Sequence, residues 1–268
     1  MSSQSFEKTA LVTGASSGLG AEFARQLAAL GFNLILTSRR TERLQQLGEH
    51  LRTTYSIRVQ IQLADLSMLS DIENLISIIN NLEALDLLIN NAGFGTVGRF
   101  HRVDAKKEMA MVSVHMVAPV MLSRAVLPGM IARNQGGIIN VSSLAGLIPI
   151  RNVLYHSSKA FLISFSEALH TELYASQVHV QALCPGFILT EFHDTIEYSR
   201  FSRKGIPRFL WMTSGQVVSA SLKSLPHGKL LCIPGGINRF AGALARNSLS
   251  AGLIKYAAML VLFKRKPS

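Results

Sequence analysis

The chain has 268 residues, 48% of them apolar, with a mean hydropathy of +0.28; that is enough for one large domain and too apolar for disorder. Two cysteines, Cys184 and Cys232, exclude a disulfide framework, and 20 glycines with 8 prolines in no period exclude a collagen-like chain. The net charge of +11 is lopsided: from Tyr198 onward there are twelve Lys and Arg and no Asp or Glu, which favours a phospholipid surface, an acidic carrier protein or a phosphorylated substrate.

The polar start, residues 1–8, shows no basic segment followed by an apolar run, so no secretory leader is read and a cytoplasmic protein is expected. Residues 9–12 predict a short buried strand, and residues 18–30 a helix with Leu19, Phe23, Leu27 and Leu30 on one face. A second strand is predicted over 34–37, then a charged helix over 42–51. Further strands fall at 59–63, 85–89, 138–141, 178–183 and 230–233, most of them separated by helical stretches. Strands alternating with helices build βαβ units, hence a parallel sheet covered on both faces.

No Gly-, Ser- or Pro-rich linker appears before the last third. One doubly wound α/β domain over 1–235 is expected, with a basic, apolar helical extension over 236–268. Two long helices, 107–133 and 154–176, are apolar all round, the first through Met109, Val112, Met116, Val120 and Leu122. Such helices pack on a sheet and on a partner, which predicts a homodimer or homotetramer.

The stretch 187–214 has no clear regular structure and mixes Phe192, Phe201, Phe209, Leu210 and Trp211 with Arg200, Arg203, Lys204 and Arg208. A segment of that length is expected to be a lid or binding loop, suited to an apolar substrate with an anionic end. Residues 249–263 are apolar but shorter than the roughly 20 residues of a spanning helix. With Lys264, Arg265 and Lys266 behind them, they are expected either to lie peripherally on an anionic membrane or to pack as a helix on the domain itself or across a dimer. No nucleic-acid motif accompanies the bases. His101, His156, His170 and His179 stand at no metal-ligand spacing, so no metal is expected.

Several motifs carry chemistry. Thr13-Gly14-Ala15-Ser16-Ser17-Gly18-Leu19-Gly20 follows the first strand and opens the first helix. Glycines there let the backbone approach a pyrophosphate, and the helix N-terminus offers free N–H groups. Where an NAD site places Asp or Glu on the ribose 2′-OH, this chain reads Thr37-Ser38-Arg39-Arg40. No carboxylate would repel a 2′-phosphate and Arg39 can hold one in its planar fork, so NADP(H) is expected. Asn90-Asn91-Ala92-Gly93 follows the fourth strand. Tyr155 and Lys159 share one helical face at i, i+4. There the ammonium stabilises a phenolate and makes Tyr155 usable as a proton donor or acceptor near neutral pH. Pro185-Gly186 closes the sixth strand, with Thr190 beyond.

In this order the motifs resemble the short-chain dehydrogenase/reductase family, over residues 8–233. The resemblance implies a Rossmann-type, seven-stranded parallel sheet in three α/β/α layers. It implies that Gly14, Ser16, Ser17, Gly18, Leu19 and Gly20 form the dinucleotide turn, with Asp65 and Leu66 at the adenine. It further implies that Asn91, Ala92 and Gly93 support the cofactor and sheet. Tyr155 is then the general acid/base and Lys159 its ribose-binding partner. Pro185, Gly186, Ile188 and Thr190 lie near the nicotinamide carboxamide and the phosphates.

Two positions depart from the family pattern. Its catalytic serine lies thirteen residues before the tyrosine and three before a glycine; here those rules select Ser142 and Ser143 respectively. The strand-end pattern Val141-Ser142-Ser143-Leu144-Ala145-Gly146 favours Ser143, because neighbours on a strand face opposite ways and only one can serve. The family's helical asparagine, which supports a proton-relay water, is replaced by His115. Histidine can hydrogen-bond and relay protons; the alternative is a satisfied buried histidine with a weakened relay. The implied activity is reduction of a hydrophobic carbonyl compound (a 3-oxoacyl chain or steroid-like ketone) by NADPH, or the reverse, with Ser143 on the oxygen and Tyr155 supplying the proton. A catalytically weak nucleotide-binding regulatory or scaffold protein of the same fold is the other reading.

Overall fold

The apolar run at the start of the chain becomes β1 (Thr9–Thr13), buried from Ala10 onward because it has a paired strand on each side and helices on each face. In the computed structural model, which describes residues 8–150, 152–191 and 206–247, there follow α1 (Gly18–Ala29), β2 (Asn33–Ser38), α2 (Thr41–Tyr55), β3 (Val59–Leu63), α3 (Leu69–Asn80) and β4 (Leu87–Asn90). The chain continues through α4 (Ala105–Val112), α5 (Ala118–Ala132), β5 (Gly136–Val141), α6 (Val153–Glu172) and β6 (Val178–Leu183). It ends with β7 (Phe187–Ile188), β8 (Trp211–Met212), α7 (Ser214–Ser224), β9 (Leu231–Cys232) and α8 (Gly236–Arg246).

Seven strands form one parallel sheet in the order β3-β2-β1-β4-β5-β6-β9. Alternation along each strand feeds two cores. Ala10 and Val12 face Phe23, Leu27, Leu44, Leu51, Val217 and Val218 of α1, α2 and α7. Leu11 faces the opposite layer, with Ile72, Leu75, Leu122 and Leu169 of α3, α5 and α6. The expected three-layer, doubly wound fold is the one observed. Strand order reverses between β1 and β4, and the crevice at their carboxyl ends is where open α/β sheets bind ligands.

The predicted helix 107–133 is one rod from 105 to 132, interrupted by a π turn over Ser113–Val117. Pro119 explains the interruption: it has no N–H to reach the carbonyl of His115, four residues back. The chain bridges the gap with an i→i+5 bond from the Ala118 N–H to the Ser113 carbonyl. Length and composition alone would let this rod cross a bilayer. Its stripe of Met111, Val114, Ala118, Leu122, Val126 and Met130 is instead buried in the domain.

The segment 187–214 contains regular structure that its sequence does not announce. β7 and β8 pair in parallel, Phe187 with Trp211 and Ile188 with Met212, too short to show a period. The expectations for Phe192, Phe201 and their basic neighbours, and for a membrane-lying stretch over 249–263, concern positions outside the described residues.

Candidate active site

β1 ends in a turn that needs glycine: φ is +65° at Gly14 and +56° at Gly18. A Cβ on Gly14 would stand 2.8 Å from Ala92 Cα, and one on Gly20 2.2 Å from the Gly14 carbonyl oxygen. The turn is thus drawn tight against the end of β4. Asn91 clamps it: Nδ2 donates to the carbonyls of Thr13 (2.8 Å) and Gly14 (3.3 Å). In return Thr13 Oγ1 accepts from the Asn91 and Ala92 N–H groups at 2.9 and 3.0 Å.

Helix α1 then begins with no acidic residue in its first turn and no side chain capping it. Its first donors and its positive dipole end are left for an anion. Arg40 reaches over from the end of β2, where Nε donates to Ser16 Oγ at 2.9 Å and Nη2 donates to Ser17 Oγ. Beyond it, Glu191 accepts from Arg43 Nη1 at 2.6 Å and lies 3.5 Å from Arg40 Nη1. Arg39, the arginine singled out from sequence, is mostly exposed and lies 3.5 Å from Asp65 Oδ2. Burial pushes the Asp65 carboxyl up, but hydrogen bonds from the Ser67 N–H and hydroxyl, with the Arg39 charge, outweigh it and hold its pKa below the ordinary value. A glycine turn, an uncapped helix start and a guanidinium held across both form a donor set that fits the phosphates of a dinucleotide.

β5 delivers Ser142 and Ser143, while α6 delivers Tyr155 and Lys159. The Ser142 hydroxyl is buried and donates to the Lys159 carbonyl at 2.6 Å. Ser143 is half-buried; its Oγ accepts from the Ala145 N–H at 3.0 Å and caps the 3₁₀ turn Leu144–Gly146. That turn lies so close to α6 that a Cβ on Gly146 would stand 2.7 Å from the Lys159 carbonyl carbon. Asn152 caps α6, its Oδ1 accepting from the Tyr155 N–H at 3.1 Å while Nδ2 donates to the Thr96 carbonyl. Lys159 is 4% exposed, and Nζ donates to the Val141 carbonyl at 2.8 Å, 5.7 Å from the Tyr155 ring centroid. Burial lowers its pKa to about 8, against an opposing effect of Cys184.

His115, in the π turn, is fully buried, and both ring nitrogens are taken. The Phe94 N–H donates to Nε2 at 3.1 Å, and Nδ1 lies 2.9 Å from Ser158 Oγ. Because Nε2 accepts, this network assigns the proton to Nδ1, which donates to Ser158; the Ser158 hydroxyl in turn donates to the Tyr155 carbonyl at 3.0 Å. Burial, then the nearby charge of Lys159, keeps the imidazole pKa well below its usual value, so the ring is neutral. It stands edge-on to Tyr155, 5.8 Å between centroids at 72°. Here His115 braces the Phe94 loop against α6, with neither nitrogen open for the relay that its position in the sequence suggested.

The remaining expected contacts divide by role. Leu19 and Leu66 bury their side chains in the core, so only their backbones can meet a ligand. A Cβ on Gly93 would stand 2.8 Å from His115 Nε2. The Pro185 carbonyl accepts from the Leu144 N–H at 2.9 Å, which ties the end of β6 to the Ser143 turn. Gly186 packs against Asn238, Ile188 lies in β7, and Thr190 lies beside Gly18. Ser158 and Glu191 escaped the sequence reading: Ser158 fills an unspecified position between Tyr155 and Lys159, and Glu191 stands in no motif.

Comparison with known proteins agrees with this geometry. Residues 8–200 match the family described as short chain dehydrogenase. The chain is 33% identical over 189 residues (68% of its length) to the very-long-chain 3-oxoacyl-CoA reductase of Anas platyrhynchos, spanning 60% of that protein. It is 36% identical over 185 residues to the uncharacterized oxidoreductase YmfI of Bacillus subtilis, covering 68% of this chain and 76% of that one. A solved short-chain dehydrogenase from Sphingobium yanoikuyae, in complex with NADPH, superposes with a TM-score of 0.80 at 27% identity, with 97% of each chain covered.

Proposed function

The chain belongs to the short-chain dehydrogenase family, and from its site we propose that it exchanges hydride between NADP(H) and a hydrophobic carbonyl compound, such as a 3-oxoacyl chain or a steroid-like ketone. The observation that carries this reading is the grouping of Tyr155 with buried Lys159 on α6, with the 3₁₀ turn that Ser143 caps packed against the Lys159 backbone. When bound, the nicotinamide supplies or receives the hydride. Ser143 donates a hydrogen bond to the carbonyl oxygen, and Tyr155 gives that oxygen its proton. The Lys159 ammonium favours the phenolate left behind.

Arg40 across Ser16 and Ser17, with no carboxylate at the end of β2, supports NADP(H) over NAD(H). The NADPH complex of the Sphingobium relative supports the same choice. An apolar substrate is supported by exposed Val97 and Phe100 in the loop that Asn152 ties to the start of α6. Half-buried Val112, Met116 and Val120 leave a second apolar face on the α4–α5 rod. A second copy packs there on this reading, and sedimentation velocity should show a species larger than the monomer. The function itself is tested by following NADPH consumption against ketones, steroids, aldehydes and 3-oxoacyl thioesters. Turnover with an apolar ketone or thioester is expected, and silence across the panel would contradict the reading.

The two serines make a sharper test. Ser143→Ala should cost about 10²-fold or more in turnover, the usual worth of a donor on the reacting oxygen, beyond the modest loss of stability expected when its cap on the Ala145 N–H goes. Ser142→Ala should keep most of the turnover while it also loses stability, since it removes a buried hydrogen bond to Lys159 worth about 1 kcal/mol and leaves the reacting groups in place. Ranked the other way, the activities would move the role to Ser142.

Lys159 sets the pH profile. Its protonated form assists Tyr155, so reductive turnover is expected to hold below pH 8 and fall as pH rises through about 8. A profile that stays flat through that value would separate Lys159 from the reaction.

A further inference from the structure

Helix α8 carries an apolar stripe whose first two members stand exposed. Ile237, Phe240, Ala241 and Leu244 recur at i, i+3, i+4 and i+7. The residues α8 buries are instead Asn238 and Gly242, the latter against Ile233, Leu144 and Leu147. Ile237 is 52% exposed and Phe240 67%. Ile237 also lines a cleft of about 200 Å³ with Phe209, Trp211 and Met212, and Phe209 is 70% exposed. Two phenylalanines and an isoleucine on one continuous surface are more than scattered exposure accounts for.

The setting of this patch is basic. Phe209 and Phe240 each follow an exposed arginine, Arg208 and Arg239. Arg239 continues into a second cleft with Lys229 and Arg246, floored by Leu231 and Ile233. Glu167, which approaches from α6, is engaged by Arg246 at 2.8 Å, and the sequence contains no acid after Glu197.

We propose that this surface docks on an anionic phospholipid membrane. Phe209, Ile237 and Phe240 enter the boundary between headgroups and acyl chains. Arg208 and Arg239 remain at the phosphates with their stems along the apolar surface. Charge decides the occupant: an isologous contact with a second copy would set the same basic patch against itself, whereas anionic headgroups neutralise it. The sequence beyond Asn247 has the same character, apolar over 249–263 and then Lys264, Arg265 and Lys266. This inference is independent of the reaction assigned to Tyr155.

Co-sedimentation of the full chain with vesicles of phosphatidylcholine, alone or mixed with phosphatidylglycerol, tests it. Binding is expected to the mixed vesicles only, weakening at high salt as exposed charges are screened. The double variant Ile237→Ser/Phe240→Ser should lose about tenfold or more of that affinity, and Arg239→Glu should also weaken it. A circular-dichroism melt like the parent's identifies the variants as folded. Trp211, the chain's single tryptophan, shares the cleft with Ile237, so its emission should move to the blue with mixed vesicles. Three outcomes overturn the proposal: the parent chain in the supernatant with both vesicles, the double variant binding as the parent does, or a parent dimer that ignores vesicles and is broken by the double variant.

Discussion

Tyr155→Phe is expected to lower carbonyl reduction by about 10²–10⁴-fold, the range contributed by a positioned general acid. NADPH affinity, measured by quenching or by cofactor fluorescence, should stay within about twofold, since such a change removes only transition-state stabilisation. The reason lies in what the substitution leaves alone. The ring keeps its edge contact with His115 and its place 5.7 Å from Lys159 Nζ. Asn152 caps the helix through the backbone N–H of residue 155, not through the side chain. What is lost is the hydroxyl, and with it the transferable proton. Near-normal turnover in this variant would end the assignment of Tyr155 as the acid.

Arg40→Ala is expected to weaken NADPH binding by roughly tenfold to over a hundredfold, the worth of a charge-assisted contact, while NADH binding is spared. Arg39→Ala should cost less. Arg40 already stands over Ser16 and Ser17 at the mouth of the glycine turn, whereas Arg39 lies toward Asp65; each also has a carboxylate at 3.5 Å, Glu191 and Asp65 respectively. Arg40 remains about half exposed, so the loss should sit toward the lower figure and shrink with salt. Titrations of both cofactors check this. Equal losses for NADPH and NADH would remove Arg40 from 2′-phosphate recognition, and a larger effect at Arg39 would return the role to the residue that sequence alone favours.

That last contrast shows where the sequence stops being legible. The sheet is readable because most of its strands carry an apolar run, and β3 an apolar–polar alternation, and that alternation is a property of the backbone. The same alternation separates Ser142 from Ser143: one hydroxyl is buried on Lys159 and the other is half-buried at a turn. Which of two adjacent arginines reaches the glycine turn depends on how β2 bends into α2, with Arg40 at φ −93° and ψ 90°. No period encodes that bend. The π turn at His115 had a visible cause in Pro119, but the destination of the ring depended on Phe94 and Ser158, 21 and 43 residues away. Contacts of that range belong to the packed fold, and local pattern carries no trace of them.

On the proposed reading this site moves hydride onto a carbonyl carbon, with Tyr155 supplying the proton. It is tested most directly with NADPH deuterated at the transferable C4 position and an apolar ketone, by mass spectrometry of the alcohol formed. One deuterium is expected on the carbinol carbon in the parent protein, with loss of that labelled product in Tyr155→Phe under conditions where NADPH still binds. NADPH bound by the parent without any labelled alcohol from ketones or 3-oxoacyl thioesters, or label transfer undiminished in Tyr155→Phe, would contradict it.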